Sequence, residues 1–249
     1  MTDNQALIVA EEIQEWIKEW FNENGKGCPA VVGISGGKDS SIVATLCANA
    51  LGADNVIGVE MPNVTQDDIN YADDLIDYLG IKKVVVNIGN MIEAIEKSIP
   101  YGLTDQAKTN LPARVRMVTL YAISQSINGR VANTCNLSED YVGYATIWGD
   151  SCGDFSPLHD LTVSQVKAVG YALNLPKKFI EKTPSDGLCG KSDEDNLGYT
   201  YAQLDQYIDG NRSTLNSALC DKILRDHTRN EFKIEAIQLP HYKMIHDWR

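Results

Sequence analysis

No two cysteines in this sequence are spaced C-x-x-C. The six present, Cys28, Cys47, Cys135, Cys152, Cys189 and Cys220, are scattered singly, which excludes the usual zinc-ribbon and thioredoxin-type spacings. The expected state of such thiols is free and buried, as in a reducing compartment. No leader is expected either: MTDNQALIVAEEIQEWIKEWF has no basic start and carries Glu and Lys among its apolar residues, unlike a secretory signal. No stretch approaches the ~18 consecutive apolar residues of a membrane span, and a cytoplasmic location is the expectation. Basic residues are scarce as well. There are 22 Lys and Arg against 34 Asp and Glu, a formal net charge of -12. Nucleic acids and anionic membranes are held through Lys and Arg, so neither is an expected partner. An anionic ligand must instead meet a local group of cations, a metal ion or backbone N–H groups.

What is present is an α/β rhythm. Ile13, Trp16, Ile17, Trp20 and Phe21 recur at helical spacing, predicting an amphipathic helix over residues 5–22 whose Trp stripe faces a core or a dimer partner. AVVGI, NVIGVEM, KKVVVNI and RVANT read as strands. Between them SSIVATLCANALG, QDDINYADDLIDYLG and NMIEAIEKSI read as helices, the first two closed by Gly52 and Gly80. Pro112 is expected to open a longer helix, PARVRMVTLYAISQSI, and Thr162 to cap VSQVKAVGYALNL. Strands alternating with helices imply parallel pairing through right-handed crossovers. The expected fold is a doubly wound parallel sheet flanked by helices, one Rossmann-like domain over residues 1–249. In such sheets ligands sit beyond the carboxyl ends of the strands, where GISGGKDS and TCNLSE both begin.

The first of these turns, VVGISGGKDSS, fails the best-known phosphate-loop pattern. Gly33 lies four residues before Gly37, one short, and Lys38 is followed by Asp39 rather than Ser or Thr. Its physics still suits phosphate. Gly36 and Gly37 allow a tight turn and close approach, successive N–H groups make an anion nest, and a helix starting near Ser40 adds its positive end. Asp39 repels bare phosphate, but it makes sense with a divalent cation between the two.

SGGKDS resembles the S-G-G-x-D-S loop of the pyrophosphate-releasing ATPases, which cleave ATP between the α and β phosphates. PARVRM, TCNLSEDYVGYATIWGDSCGDFSPLHDLT, KTPSDGL and DEDNLGYTYAQLD follow in order, and together they resemble the NAD synthetases from about residue 30 to 235. That resemblance implies an adenine-nucleotide α-hydrolase-like fold. The implied reaction joins ammonia to the nicotinate carboxyl of deamido-NAD through an adenylated carboxylate, with ATP going to AMP and pyrophosphate and Mg²⁺ as cofactor.

By the same resemblance, Gly33, Ile34, Ser35, Gly36, Gly37, Lys38, Asp39, Ser40, Thr134 and Ser185 hold ATP, and Asp39 and Glu139 hold the metal. Arg114, Asp154 and Lys233 hold deamido-NAD. Lys182 lies near the phosphates, and Asp150 receives ammonium and accepts its proton. Arg116 is expected to be structural or at a subunit contact. Relatives are homodimers, so a homodimer is implied.

The match departs from the family at several points. Val163 stands where many relatives carry an ATP-binding lysine, with Lys167 one helical turn later as the candidate replacement. Ile147 replaces another substrate-facing lysine and Phe232 a histidine. Trp148 is a candidate for stacking on a ligand ring or, equally, for packing in the wall of the site. The segments 104–112 and 182–195 read as loops able to close over substrate. No glutaminase pattern accompanies the synthetase motifs, so free ammonia is the expected donor. Two alternatives stand beside this: another adenylating enzyme of the same loop family, such as a tRNA thiolase, and an ATP-sensing module without turnover. The Asp39 and Glu139 pair argues against a pure sensor.

Overall fold

The computed structural model describes residues 1–64, 69–181, 192–236 and 239–245. Four parallel strands, β1 (Ala30–Gly33), β2 (Val56–Glu60), β3 (Lys82–Val85) and β4 (Arg130–Val131), form one sheet in the order β3-β2-β1-β4. Ala30 pairs with both Val56 and Arg130, so β1 is central. The strand order reverses beside β1, which is where an open α/β sheet makes its crevice.

Side-chain alternation in β1 divides the core. Ala30 and Val32 face a cluster with α1 (Asp3–Asn24), α2 (Lys38–Leu51), α7 (Val163–Ala172) and α8 (Lys177–Ile180). Val31 faces the other way, with Ile57 and Val59, onto α4 (Gly89–Ser98) and α5 (Asp105–Ser126). A strand turns successive side chains to opposite faces, so four residues serve both layers. The helix α3 (Ile69–Leu79) packs Ala72, Leu75 and Ile76 into the first cluster. A third cluster joins α6 (Leu137–Tyr141), α9 (Asp193–Leu197), α10 (Tyr201–Ile208) and α11 (Ser217–Ala236) through Val142, Leu197, Leu204 and Ile223.

The Trp stripe of α1 is satisfied within the chain. Phe155 is fully buried, with Trp20 stacked on it at 4.9 Å and Phe21 edge-on at 5.2 Å. Thr162 caps α7 as expected, accepting from Gln165 N while Gln165 reaches back to Thr162 N.

Three expectations change. First, α5 starts at Asp105, capped by the Thr104 side chain, so Pro112 lies inside the helix and residues 104–112 are its cap and first turns rather than a closing loop. Pro112 removes one intrahelical N–H, which the buried contacts of α5 outweigh. Second, β4 has two ladder residues rather than five. Ala132 bridges instead to Phe155, so the chain leaves the sheet early. Third, α9, α10 and α11 were not expected as elements. Ser192 with Asp195 and Thr200 with Gln203 are capping boxes that mark two of them. Residues 192–195 therefore open a helix, while 182–191 lie outside the described residues. Among the described residues no helix is long and apolar enough to cross a membrane.

Candidate active site

The turn from β1 into α2 holds itself open by its serines. Gly36 has φ +75, a left-handed conformation that glycine adopts without strain. Ser35 Oγ accepts from Gly37 N at 3.2 Å, and the Ser35 and Ser40 hydroxyls lie 3.0 Å apart. Ser41 Oγ donates to Gly37 O at 2.7 Å. Gly37 is the N-cap of α2 and carries no side-chain cap. The amides that begin the helix are thus left for an anion. Gly33 and Ile34 deliver the chain to this point, Ile34 N donating to Val59 O at 2.8 Å.

Two carboxylates converge beside the turn. Asp39 is the second residue of α2, and Asn136 caps α6 across from it. Asn136 Nδ2 donates to Asp39 Oδ1 at 3.0 Å. Asn136 also forms a reciprocal box with Glu139: Glu139 N donates to Asn136 Oδ1 at 3.1 Å, and Asn136 N to Glu139 Oε2 at 3.4 Å. One buried amide therefore sets both acids. Burial and then the Asp39 charge push the Glu139 carboxyl well above the usual range, against the pull of Lys38. The residue as a whole is only half-buried, and the water it retains tempers that rise.

Lys38 is the feature that motif reading undervalued. Taken only as a member of the loop, it is in fact 3% exposed. Its Nζ lies 2.7 Å from Asp39 Oδ2 and 5.6 Å from the centre of the Tyr201 ring. Burial pulls the ammonium down, but Asp39, Glu139 and Asp193 outweigh it and the net direction is upward. Burial, then Glu139, Asp193 and Asp39, keep Tyr201 a neutral phenol by raising it far above its usual range. Lys38 thus stands as a cation among three acids.

The second group lies around residues 144–155. Asp150 is exposed, and its Oδ1 accepts from Thr146 N at 2.7 Å. Surrounding protein pushes its carboxyl upward and the Thr146 N–H pulls it back, with solvent moderating the result. Arg114 Nε donates to Ile147 O at 3.3 Å, and Lys233 Nζ to Gly143 O at 2.9 Å. Burial lowers the Lys233 ammonium, Arg229 adds to that, and Asp150 opposes it. Arg116 reaches Met61 O at 3.2 Å, a structural contact at the end of β2. Asp154 closes β4: its Oδ2 accepts from Val131 N at 2.7 Å and its Oδ1 from Tyr121 Oη at 3.4 Å. Thr134 is half-buried between β4 and α6. A small solvent-open cleft has Asn133, Asp140, Ser151, His159 and Lys233 in its lining.

The structure thus brings Asp39 and Glu139 to one place, and Asp150 and Lys233 to another. Ser185 and Lys182 lie outside the described residues. Lys167 Nζ pairs with Glu181 Oε2 at 3.4 Å, while Val163 is buried at the start of α7 and donates its N–H to Ser138 Oγ at 3.0 Å. Trp148 is 52% exposed with φ +58, an uncommon backbone for a bulky residue. Phe232 is 62% exposed on α11.

Comparison with known proteins follows the same lines. The family model described as NAD synthase matches residues 9–244. The NH(3)-dependent NAD(+) synthetase of Pyrococcus furiosus is 38% identical over 199 residues, covering 80% of this chain and 77% of that one. The enzyme of the same name from Finegoldia magna is 36% identical over 226 residues, covering 89% and 92%. Among solved structures, the NMN synthetase of Francisella tularensis superposes with a TM-score of 0.86 at 31% identity, covering 97% of this chain and 100% of that one. The NH3-dependent NAD synthetase of Campylobacter jejuni, solved with nitrate, gives 0.78 at 28% identity, covering 98% and 100%.

Proposed function

This chain belongs to the NAD synthase family, and from that premise we propose how its own residues carry out ATP-dependent amidation of deamido-NAD by ammonia. The observation that carries the reading is the Asn136 bridge, which sets Asp39 and Glu139 beside the open amides of the β1–α2 turn. Membership in this family removes the tRNA-thiolase alternative.

The turn and the α2 N-terminus bind the phosphates that leave as pyrophosphate. The acid pair fits a divalent cation: two carboxylates meet at a phosphate-binding turn, with one ammonium to offset them. When bound there, Mg²⁺ offsets the repulsion between the nicotinate carboxylate and the triphosphate. Thr134 and Ser185 complete the ATP contacts, and Lys182 approaches the phosphates. Arg114, Asp154 and Lys233 orient the dinucleotide, in part through the backbone they already hold. After adenylation, Asp150 takes a proton from ammonium, because only neutral ammonia has a lone pair to attack the acyl carbon. AMP is the second leaving group. Free ammonia is the donor, as in the NH(3)-dependent relatives. The location is cytoplasmic.

The chain acts as a homodimer. Met91 and Ile95 of α4 and Val118 of α5 stay exposed on one side of the sheet, at 41%, 37% and 61%, an apolar group suited to a second copy.

A second reading has its own support. The solved structure with the higher superposition score of the two described is an NMN synthetase. Ile147 and Phe232 also remove two cationic positions that suit a dinucleotide with its extra phosphate. On this reading the acid is the mononucleotide of nicotinate. One experiment separates the two: purified protein with ATP, ammonium and Mg²⁺ is offered each acid, and the products are identified by mass. NAD from deamido-NAD, with pyrophosphate released only when the acid is present, supports the first reading. Amidation of the mononucleotide alone replaces it with the second, and pyrophosphate from neither refutes both.

A further inference from the structure

Two histidines and an aspartate converge at the edge of the cleft that Asp140 and Lys233 line, with His159 in that lining too. His159 and Asp160 sit on the segment leading to α7, and His241 comes from the C-terminal stretch. One ligand atom from each of the three lies within 4.8 Å of the others, and the two imidazole centres are 4.2 Å apart. None of the three is among the site residues that the synthetase resemblance implies, although His159 and Asp160 fall within the stretch TCNLSEDYVGYATIWGDSCGDFSPLHDLT.

The hydrogen bonds leave one nitrogen of each ring free. His241 Nδ1 lies 2.8 Å from Leu239 O. A carbonyl only accepts, so Nδ1 carries the hydrogen, and in the neutral ring Nε2 keeps its lone pair. His159 Nδ1 lies 3.1 Å from Asp140 Oδ2, with the same consequence for its Nε2. Histidines that bind metals generally present one nitrogen to the ion and give the other N–H to a carboxylate or a backbone carbonyl. Both outer partners are present here. Asp160 supplies the anionic third ligand, its Oδ2 steadied by Met244 N at 3.4 Å.

The backbone holds His241 in place from both sides. Ser156 N donates to Pro240 O at 2.9 Å, and Ser156 bridges His241 in parallel. The next residue, Tyr242, is 2% exposed, donates to Glu12 Oε2 at 2.6 Å and lies edge-on to Trp16. The three ligands are half-buried, so an ion can enter and keep a water.

We propose that His159, Asp160 and His241 form a binding site for a transition-metal ion of the zinc type, which clips the C-terminal segment to the loop before α7. Two imidazoles and one carboxylate give three protein ligands, leaving a position for water. Such a set selects zinc or its neighbours over Mg²⁺, which demands oxygen ligands. The site is separate from the carboxylate pair at Asp39 and Glu139.

The test titrates chelator-treated full-length protein with Zn²⁺ by calorimetry in excess Mg²⁺, with Co²⁺ as the spectroscopic probe. The expected result is one tight equivalent, with Co²⁺ showing visible absorption and no thiolate charge-transfer band. His241→Gln and Asp160→Asn should each weaken binding at least tenfold while leaving the far-ultraviolet circular dichroism unchanged. If one variant does not fold, the other decides. Zinc binding unchanged in a folded variant, a thiolate band with Co²⁺, or no tight equivalent in the wild type overturns the proposal.

Discussion

Replacing Lys38 by Met tests the charge balance of the site. Met keeps most of the length and removes the charge. At the 2.7 Å between Nζ and Asp39 Oδ2, an effective dielectric of about 20 gives a gross attraction of about 6 kcal/mol. Desolvation of the ammonium cancels much of this. Removing one partner of a buried pair costs about 3–5 kcal/mol, because the other charge is left behind. The Asp39 side chain keeps 18% of its surface, which points to the lower end, about 3 kcal/mol. A divalent ion between Asp39 and Glu139 restores the missing charge in the variant, where no ammonium competes with it. An ion at a hundred times its Kd contributes about 2.7 kcal/mol. Urea unfolding of Lys38→Met should therefore show a deficit of about 3 kcal/mol in EDTA that shrinks below about 1 kcal/mol in saturating Mg²⁺. Wild type should respond weakly to Mg²⁺ when nucleotide is absent. An equal deficit with and without Mg²⁺ would refute the reasoning, since the acids would then hold no cation in common.

Asp205 is 4% exposed and accepts from Ser138 Oγ, Ser164 N and Ser164 Oγ; Asp205→Ala should lower urea stability by about 3–5 kcal/mol, since three donors lose a charged acceptor, and Asp205→Asn by less. In Gly153→Ala the new Cβ would lie 2.7 Å from Asn133 N, and the backbone shift needed should cost more than about 1–3 kcal/mol, the range for overpacking, seen as a lower Tm. Cys47 is fully buried and its thiol is pushed up to about 12, so it remains a neutral thiol at pH 9; iodoacetamide there should spare Cys47 in the folded protein and label it in denaturant, read by peptide mass. Asp150→Asn should keep acid-dependent pyrophosphate exchange and lose amide formation, and loss of both together would remove the proton-accepting role. Val118→Asp should yield monomers by light scattering if the α4–α5 face joins two copies.

The site was legible to different depths. Gly36, Gly37 and Asp39 stand next to one another, so their shared turn could be read along the chain. Glu139 was legible only through the family pattern, because 100 residues separate it from Asp39 and no local rule spans that distance. Asn136 was missed as the link, although N-x-x-E is a capping box written in the sequence. Reading Pro112 as a helix start failed because a local preference for the first turn was outweighed by the Thr104 cap upstream and by the packing of Leu111, Pro112 and Val115. The partner of Lys167 was not legible for a related reason: a shared helix face does not say which group the lysine meets, and here it meets Glu181.

By itself, the order of residues determined the alternation of strands and helices, the helix caps and the glycine turn, because each rests on neighbours within a few positions. Only the tertiary structure decided that the Lys38 ammonium is buried among Asp39, Glu139 and Asp193, and that His241 meets His159 and Asp160. Charge and coordination act through space over a few ångströms, and segments far apart in the chain reach that range only once the sheet and its helices have packed.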